Sequence, residues 1–80
     1  MKDNGEFRST DLALSAFLLT SGHRLIRIDL EGHKGVFVFS RAEIGDDPIK
    51  FLNGQARVEP GNYQSSIRKL KGSLNEVLRN

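Results

Sequence analysis

The polar residues with the clearest chemical use lie near the end of the chain. On a helix of 3.6 residues per turn, one set of them projects onto a sector from roughly 80° to 160° relative to Tyr63. The set holds three cations and two amides: Gln64, Arg68, Lys71, Asn75 and Arg79. Lysine and arginine neutralise phosphates, and glutamine and asparagine read base edges. The spacing therefore predicts a helix face that binds DNA or RNA. A polar face that only keeps the helix soluble is the simpler alternative.

Two further cations, Arg24 and Arg27, fall on the first predicted strand. We expect them to extend the basic face of the last helix. In that strand, alternation directs Ile26, Ile28 and Leu30 to one side and Arg27 with Asp29 to the other. Part of the Arg27 charge is therefore expected to go into a surface ion pair with Asp29.

Histidines and adjacent acids are the remaining candidates for chemistry. His23 follows a predicted helix end, where a capping or packing role is expected and a ring nitrogen turned toward a ligand is the alternative. His33 is expected to be solvated in a loop. Asp46-Asp47 precede Pro48, which is typical of a helix start, and binding of a hard cation is the alternative.

No set of residues matches a catalytic or cofactor site. The chain contains no cysteine, which excludes disulfides, thiol catalysis and zinc sites with cysteine ligands. Lys71-Gly72-Ser73 resembles the end of a phosphate-binding loop, but no glycine-rich loop precedes it. We therefore predict a protein that is not an enzyme, with no catalytic, cofactor-binding or metal-binding residues.

Size and composition indicate a single small globular domain. The chain has 80 residues, of which 38% are hydrophobic and 28% are charged. Residues 1–8 are polar and are expected to form a flexible tail, with the domain spanning residues 9–80. The longest apolar run, residues 12–19, is far shorter than the roughly 20 residues of a membrane span. A polar start and the absence of cysteine predict a cytoplasmic protein without membrane contact.

Hydrophobic periodicity predicts the fold class α+β, with elements in the order α-β-β-α-α. The predicted elements are a helix over about residues 11–21, strands over 24–30 and 36–39 joined by a five-residue loop, a short helix from Asp47-Pro48, and a long helix over about 60–78. Ser9 and Thr10 are the N-cap candidates of the first helix, and Gly22 is expected to end it. A lone hairpin is marginally stable, so we expect this two-stranded antiparallel hairpin to pack on the N-terminal helix and the long C-terminal helix.

The first helix carries apolar residues nearly all round. Such a helix is buried on most faces, either by its own domain or by a partner. If the small domain leaves part of it uncovered, the remaining apolar surface marks a protein-binding site. The alternative to nucleic-acid binding is therefore a protein–protein interaction module or a small homodimer.

Several ordered segments resemble a small uncharacterised domain family of bacteria and their phages. They are Ser9-Thr10-Asp11-Leu12, Ala16-Phe17-Leu18-Leu19, Gly22-His23, Phe37-Val38-Phe39, Phe51-Leu52-Asn53-Gly54, Ala56, Val58, Pro60 and Leu70-Lys71. The resemblance covers about residues 7–74, and it implies a cytoplasmic origin linked to phages or mobile elements but no activity. Residues 42–47 depart from the family pattern, which has a longer second helix there.

Overall fold

The computed structural model describes residues 5–79, which form an α+β fold with a three-stranded sheet. The elements in chain order are β1 (Glu6–Ser9), α1 (Leu12–Thr20), β2 (Leu25–Glu31), β3 (Lys34–Ser40), a 3₁₀ turn (Arg41–Glu43), α2 (Asp47–Leu52) and α3 (Pro60–Arg79). The predicted fold class and the long C-terminal helix are confirmed. The predicted hairpin is correct but incomplete, because a third strand joins it.

That third strand corrects the expectation of a flexible tail over residues 1–8. β1 pairs antiparallel with β3, with Phe7 opposite Phe39 and Ser9 opposite Phe37. Phe7 packs against the core while Glu6 and Arg8 are exposed on the other face. Four residues are too few to show a two-residue period, so the strand was missed in the sequence. Residues 1–4 of the expected tail lie outside the described residues.

β3 is the central strand of the sheet, whose order is β1-β3-β2. Its residues Val36 to Phe39 are all buried, and Phe37 and Phe39 join the hydrophobic core, as expected. The predicted five-residue loop is shorter in the structure, because Glu31 pairs with Lys34 and leaves a two-residue turn. Gly32 in that turn has a φ of 65°, a left-handed conformation that favours glycine.

An irregularity in β2 corrects the predicted facing of its side chains. The register of β2 against β3 shifts between Leu25 and Arg27, so one extra residue is inserted there. Leu25 therefore packs against the core and Ile26 is 45% exposed. Leu30 keeps the side of Ile28 but lies next to the turn, and it is 42% exposed. Of the three residues predicted to face the core, Ile28 alone packs against it.

α1 is the central helix of the core. Its N-cap is Asp11, whose carboxylate accepts a hydrogen bond from the Leu14 N–H at 3.0 Å. Ser9, one of the two predicted caps, instead accepts a hydrogen bond from the Asp11 N–H. The helix ends at Gly22 as predicted, with a φ of 98° and a hydrogen bond from the His23 N–H to the Leu18 carbonyl.

The apolar faces of α1 are covered within the domain. Residues Leu14 to Leu18 are all buried, and α1 packs against α2, α3 and the sheet. The ring of Phe17 stacks on Phe51 of α2, with a centroid separation of 5.4 Å. The leftover apolar surface on which the interaction hypothesis depended is therefore not on α1. Exposed large apolar side chains lie at Ile26, Leu30, Ile49, Leu52 and Leu78 instead.

α2 is short, as the residues before it indicate. Its first residues are Asp47 and Pro48, and the residue before them, Asp46, is the N-cap. The sequence predicts the N-cap one residue later, at Asp47. Asn53 and Gly54 end it, and Gly54 has a φ of 73°. The second helix therefore has six residues, which settles its length where the sequence departed from the family pattern.

α3 runs for 20 residues without a break at Gly72. Its apolar stripe meets the core through Leu70, which is 1% exposed, and through Tyr63, Ile67 and Leu74. No helix within residues 5–79 combines the length and the apolar character needed to cross a membrane.

Candidate nucleic-acid interface

Side-chain contacts on both sides of the α1–α3 interface determine the rotation of α3 about its axis. The Tyr63 hydroxyl donates to the Ala13 carbonyl at 3.3 Å. One turn further along, the Thr20 hydroxyl donates to Ser66 Oγ at 2.8 Å. These polar contacts and the buried Leu70 hold one side of α3 against α1 and the sheet. The opposite side of the helix is thereby directed to solvent.

The five residues predicted from the helical spacing lie on that solvent side. Each of them is exposed: Gln64, Arg68, Lys71, Asn75 and Arg79. Arg68 and Arg79 are eleven residues apart, which corresponds to about 16 Å along a helix axis. That length spans roughly five nucleotide steps of one strand of B-DNA. We call this set of five residues the α3 face.

Unneutralised positive charge is the main electrostatic property of the α3 face. No ion pair within the described residues involves Arg68, Lys71 or Arg79. α3 carries four Lys/Arg and one Glu, a net charge of +3, whereas the whole chain has a net charge of +2. The positive charge of the chain is therefore concentrated on this helix.

Most carboxylates of the described chain already have partners. Asp11 and Glu59 accept hydrogen bonds from backbone N–H groups at the starts of α1 and α3. Five others form ion pairs: Glu6, Asp29, Glu31, Asp46 and Asp47. Glu76 lies on a different side of α3, and neither kind of contact is seen for it among the described residues. Little negative charge is left to neutralise the α3 face.

Arg27 does not extend the α3 face, contrary to the prediction. Its guanidinium holds Glu6 with two hydrogen bonds of 2.7 and 2.9 Å and Asp29 with a third of 2.8 Å. It pairs across the sheet with Val38, whose neighbours Phe37 and Phe39 face the helices. Arg27 therefore lies on the sheet face opposite α3, and its charge is compensated.

Arg24 is exposed just before β2, and no ion pair of residues 5–79 involves it. It borders a small surface depression together with Leu25, Ile26 and Ser40. It thus keeps an accessible charge, as predicted, but near the edge of the sheet.

The outer sheet face carries a charge network that the sequence did not reveal. Arg8 of β1 binds Asp29 at 3.0 Å and Glu31 at 2.7 Å, beside the Arg27 contacts to Glu6 and Asp29. Hydrogen bonds from Arg27 lower the pKa of Glu6, and those from Arg27 and then Arg8 lower the pKa of Asp29. The same bonds raise the pKa of both guanidiniums. The members of this network lie on β1 and β2, and the four residues of β1 are too few for alternation to reveal it from sequence.

His23, in the loop after α1, contacts Asp47 at the start of α2. His23 Nε2 lies 2.7 Å from Asp47 Oδ2, and both side chains are largely covered. The neighbouring Asp46 lies 3.8 Å from Lys50, one turn along α2. The packing role expected for His23 and the helix-start role expected for the two acids agree with these contacts.

Comparison with known proteins identifies one family. A model of the family described as a domain of unknown function, DUF5659, matches residues 4–76. No curated protein and no solved structure matches the chain. The match confirms the expected resemblance to an uncharacterised small domain family.

Proposed function

We propose that this chain, which belongs to the DUF5659 family, is a small non-catalytic nucleic-acid-binding module that contacts its ligand through the α3 face. The observation that supports this proposal is the exposure of Arg68, Lys71 and Arg79 on one unbroken helix, where no ion pair among residues 5–79 involves them. A phosphate backbone is a regular array of negative charge, and it is the ligand class that an uncompensated row of cations best complements.

The amides of the α3 face add a means of reading bases. Gln64 and Asn75 are exposed on the same side of α3 as the cations. Phosphate contacts position a protein on the nucleic acid, whereas contacts to base edges provide specificity. We assign Arg68, Lys71 and Arg79 to the first role and the two amides to the second.

The contrast between the two sides of the domain favours α3 over the sheet as the binding surface. Arg8 and Arg27 on the outer sheet face are held by Glu6, Asp29 and Glu31. A phosphate would have to displace these carboxylates. On α3 it would displace only water and counterions.

The resemblance stated above also supports a proposal for the place of action. The resemblance to phage-borne domains suggests an accessory role in the DNA metabolism of a phage or mobile element, in the cytoplasm. The absence of cysteine from the sequence agrees with a reducing compartment.

Fluorescence anisotropy against labelled duplex and single-stranded DNA, repeated with RNA, tests the proposal. Three phosphate contacts predict a slope of about −2.7 for log K against log salt on duplex DNA, and about −2.1 on single strands. Duplex affinity should then fall by about 40-fold between 50 and 200 mM salt. If none of these probes shows salt-sensitive binding at about 100 μM protein, the proposal is refuted.

A further inference from the structure

β2 is an open edge of the sheet. The strand order β1-β3-β2 leaves one side of β2 without a paired strand among residues 5–79. The other edge, β1, has four residues, whereas β2 has seven. A long edge strand presents a row of unpaired backbone groups that can template pairing with another strand.

The register identifies which residues present those backbone groups. Glu31 and Lys34 close a two-residue turn, and residues of β2 alternate in direction from that pair onward. Leu30 and Ile28 therefore point their N–H and C=O groups away from β3, whereas the residue inserted between Leu25 and Arg27 interrupts the alternation at Ile26. Outside the β2–β3 ladder itself, no backbone hydrogen bond of the described chain involves Leu30 or Ile28.

The sequence of β2 is self-complementary about Ile28. If two copies of the strand pair antiparallel with Ile28 opposite Ile28, Arg27 of one copy lies opposite Asp29 of the other. Opposite charges directly across antiparallel strands stabilise a sheet by about 0.2–1 kcal/mol, and here the same two groups also pair with each other within each copy.

We propose that the β2 edge is the interface of a two-fold homodimer, in which β2 pairs with β2 of a second copy to form a continuous six-stranded sheet. The charge pattern selects a second copy as the occupant. An isologous interface requires each residue to meet its complement after a two-fold rotation, and Arg27 with Asp29 satisfies this about Ile28. The inference does not rest on nucleic-acid binding, because the observations that carry it concern β2 and not the α3 face.

The geometry of the outer sheet face agrees with this arrangement. Arg27 and Asp29 project on the same face, and their side chains are 43% and 30% exposed. A two-fold axis perpendicular to the sheet keeps the outer faces of both copies on one side. The charge network of each copy then continues into that of the other.

Sedimentation equilibrium of the full chain between about 10 μM and 1 mM protein is the direct test. We expect a dimer that dissociates on dilution. Leu30→Lys should raise the dimer dissociation constant at least about tenfold, because it places two lysines in the interface. Leu52→Lys is the control, since Leu52 is 73% exposed on α2, a helix that packs on α1. Its dimer should persist.

Charge reversal tests the register. Arg27→Asp alone places carboxylates opposite one another, and Asp29→Arg alone places guanidiniums opposite one another, so each variant should be monomeric. An equimolar mixture of the two should recover dimers, because each cross-strand pair is again of opposite charge. Circular dichroism checks that both variants are folded. A monomeric wild type at about 1 mM, unaltered dimerisation of Leu30→Lys, or folded reversal variants that do not associate on mixing would overturn the proposal.

Discussion

Leu74 of α3 rests directly on the backbone of Gly35 in β3, where its Cδ1 methyl occupies the position that a Cβ of residue 35 would need. Helix and sheet approach closely at this point because glycine has no side chain. The contact anchors the C-terminal half of α3 on the sheet. It thereby helps to direct Lys71, Asn75 and Arg79 away from the core.

Gly35→Ala should therefore destabilise the protein by about 1–3 kcal/mol through overpacking. The added methyl must displace Leu74 or shift the helix. Urea denaturation monitored by circular dichroism measures the loss. The double variant Gly35→Ala, Leu74→Ala should show a favourable coupling, since the truncated side chain leaves room for the methyl. Independent, additive effects would contradict the direct contact.

Gly72→Ala is the matched glycine control for that experiment. Gly72 lies inside α3 with open space around it, so a methyl there meets no neighbour. Alanine should raise the free energy of unfolding by roughly 0.5–1 kcal/mol, because glycine is a poor helix former.

Removing a positive charge from the α3 face should weaken nucleic-acid binding more than removing a positive charge from another side of the same helix. Lys71→Gln eliminates one proposed phosphate contact and should reduce the magnitude of the salt slope by about 0.9 on duplex DNA. Lys69→Gln removes the same charge from another side of the same helix and is the control. Anisotropy titrations of both variants in parallel measure the difference. Equal losses would show that binding depends on net charge rather than on this face.

The outer charge network should make stability depend on pH in the acid range. The pKa values of Glu6 and Asp29 are lowered in the folded protein by hydrogen bonds from arginine. Their stabilising effect is therefore fully present above the unfolded-state pKa, near 4, and is lost as pH falls through the lowered folded-state pKa. Urea denaturation at pH 7 and at pH 3 should show a larger loss for wild type than for Arg27→Gln.

The matched control for the pH experiment is Lys69→Gln, which also removes one positive charge but no ion pair of the described chain. It should retain the acid dependence of the wild type. Identical acid dependence in wild type and Arg27→Gln would show that the network does not couple to folding.

The N-cap residue of α1 should contribute more to the free energy of unfolding than the N-cap residue of α2. Asp11→Ala removes the acceptor of the Leu14 N–H and should destabilise the protein by about 0.5–2 kcal/mol. Asp46 occupies the N-cap position of α2 without a capping hydrogen bond from its side chain, so Asp46→Ala should have a smaller effect. Thermal unfolding of the two variants compares them. A larger loss for Asp46→Ala would contradict the assignment of the cap.

Local sequence signals determined the helices and the hairpin of this protein. Gly22 ended α1, Pro48 and Pro60 marked the starts of α2 and α3, and helical spacing alone placed the five residues of the α3 face together. These features depend on backbone preferences and on periodicities within a few turns, which act over neighbouring residues. They could therefore be recognised without tertiary information.

Four features depend on tertiary structure: the third strand, the bulge in β2, the burial of α1 by the other elements, and the ion pairs of Arg27. β1 has four residues and is a strand because β3 offers it an edge. Arg27 forms hydrogen bonds with Glu6, which is 21 residues away in the sequence, and no local pattern encodes that pairing. Which charges are compensated and which remain exposed follows from contacts between distant segments, and these form only when the chain is folded.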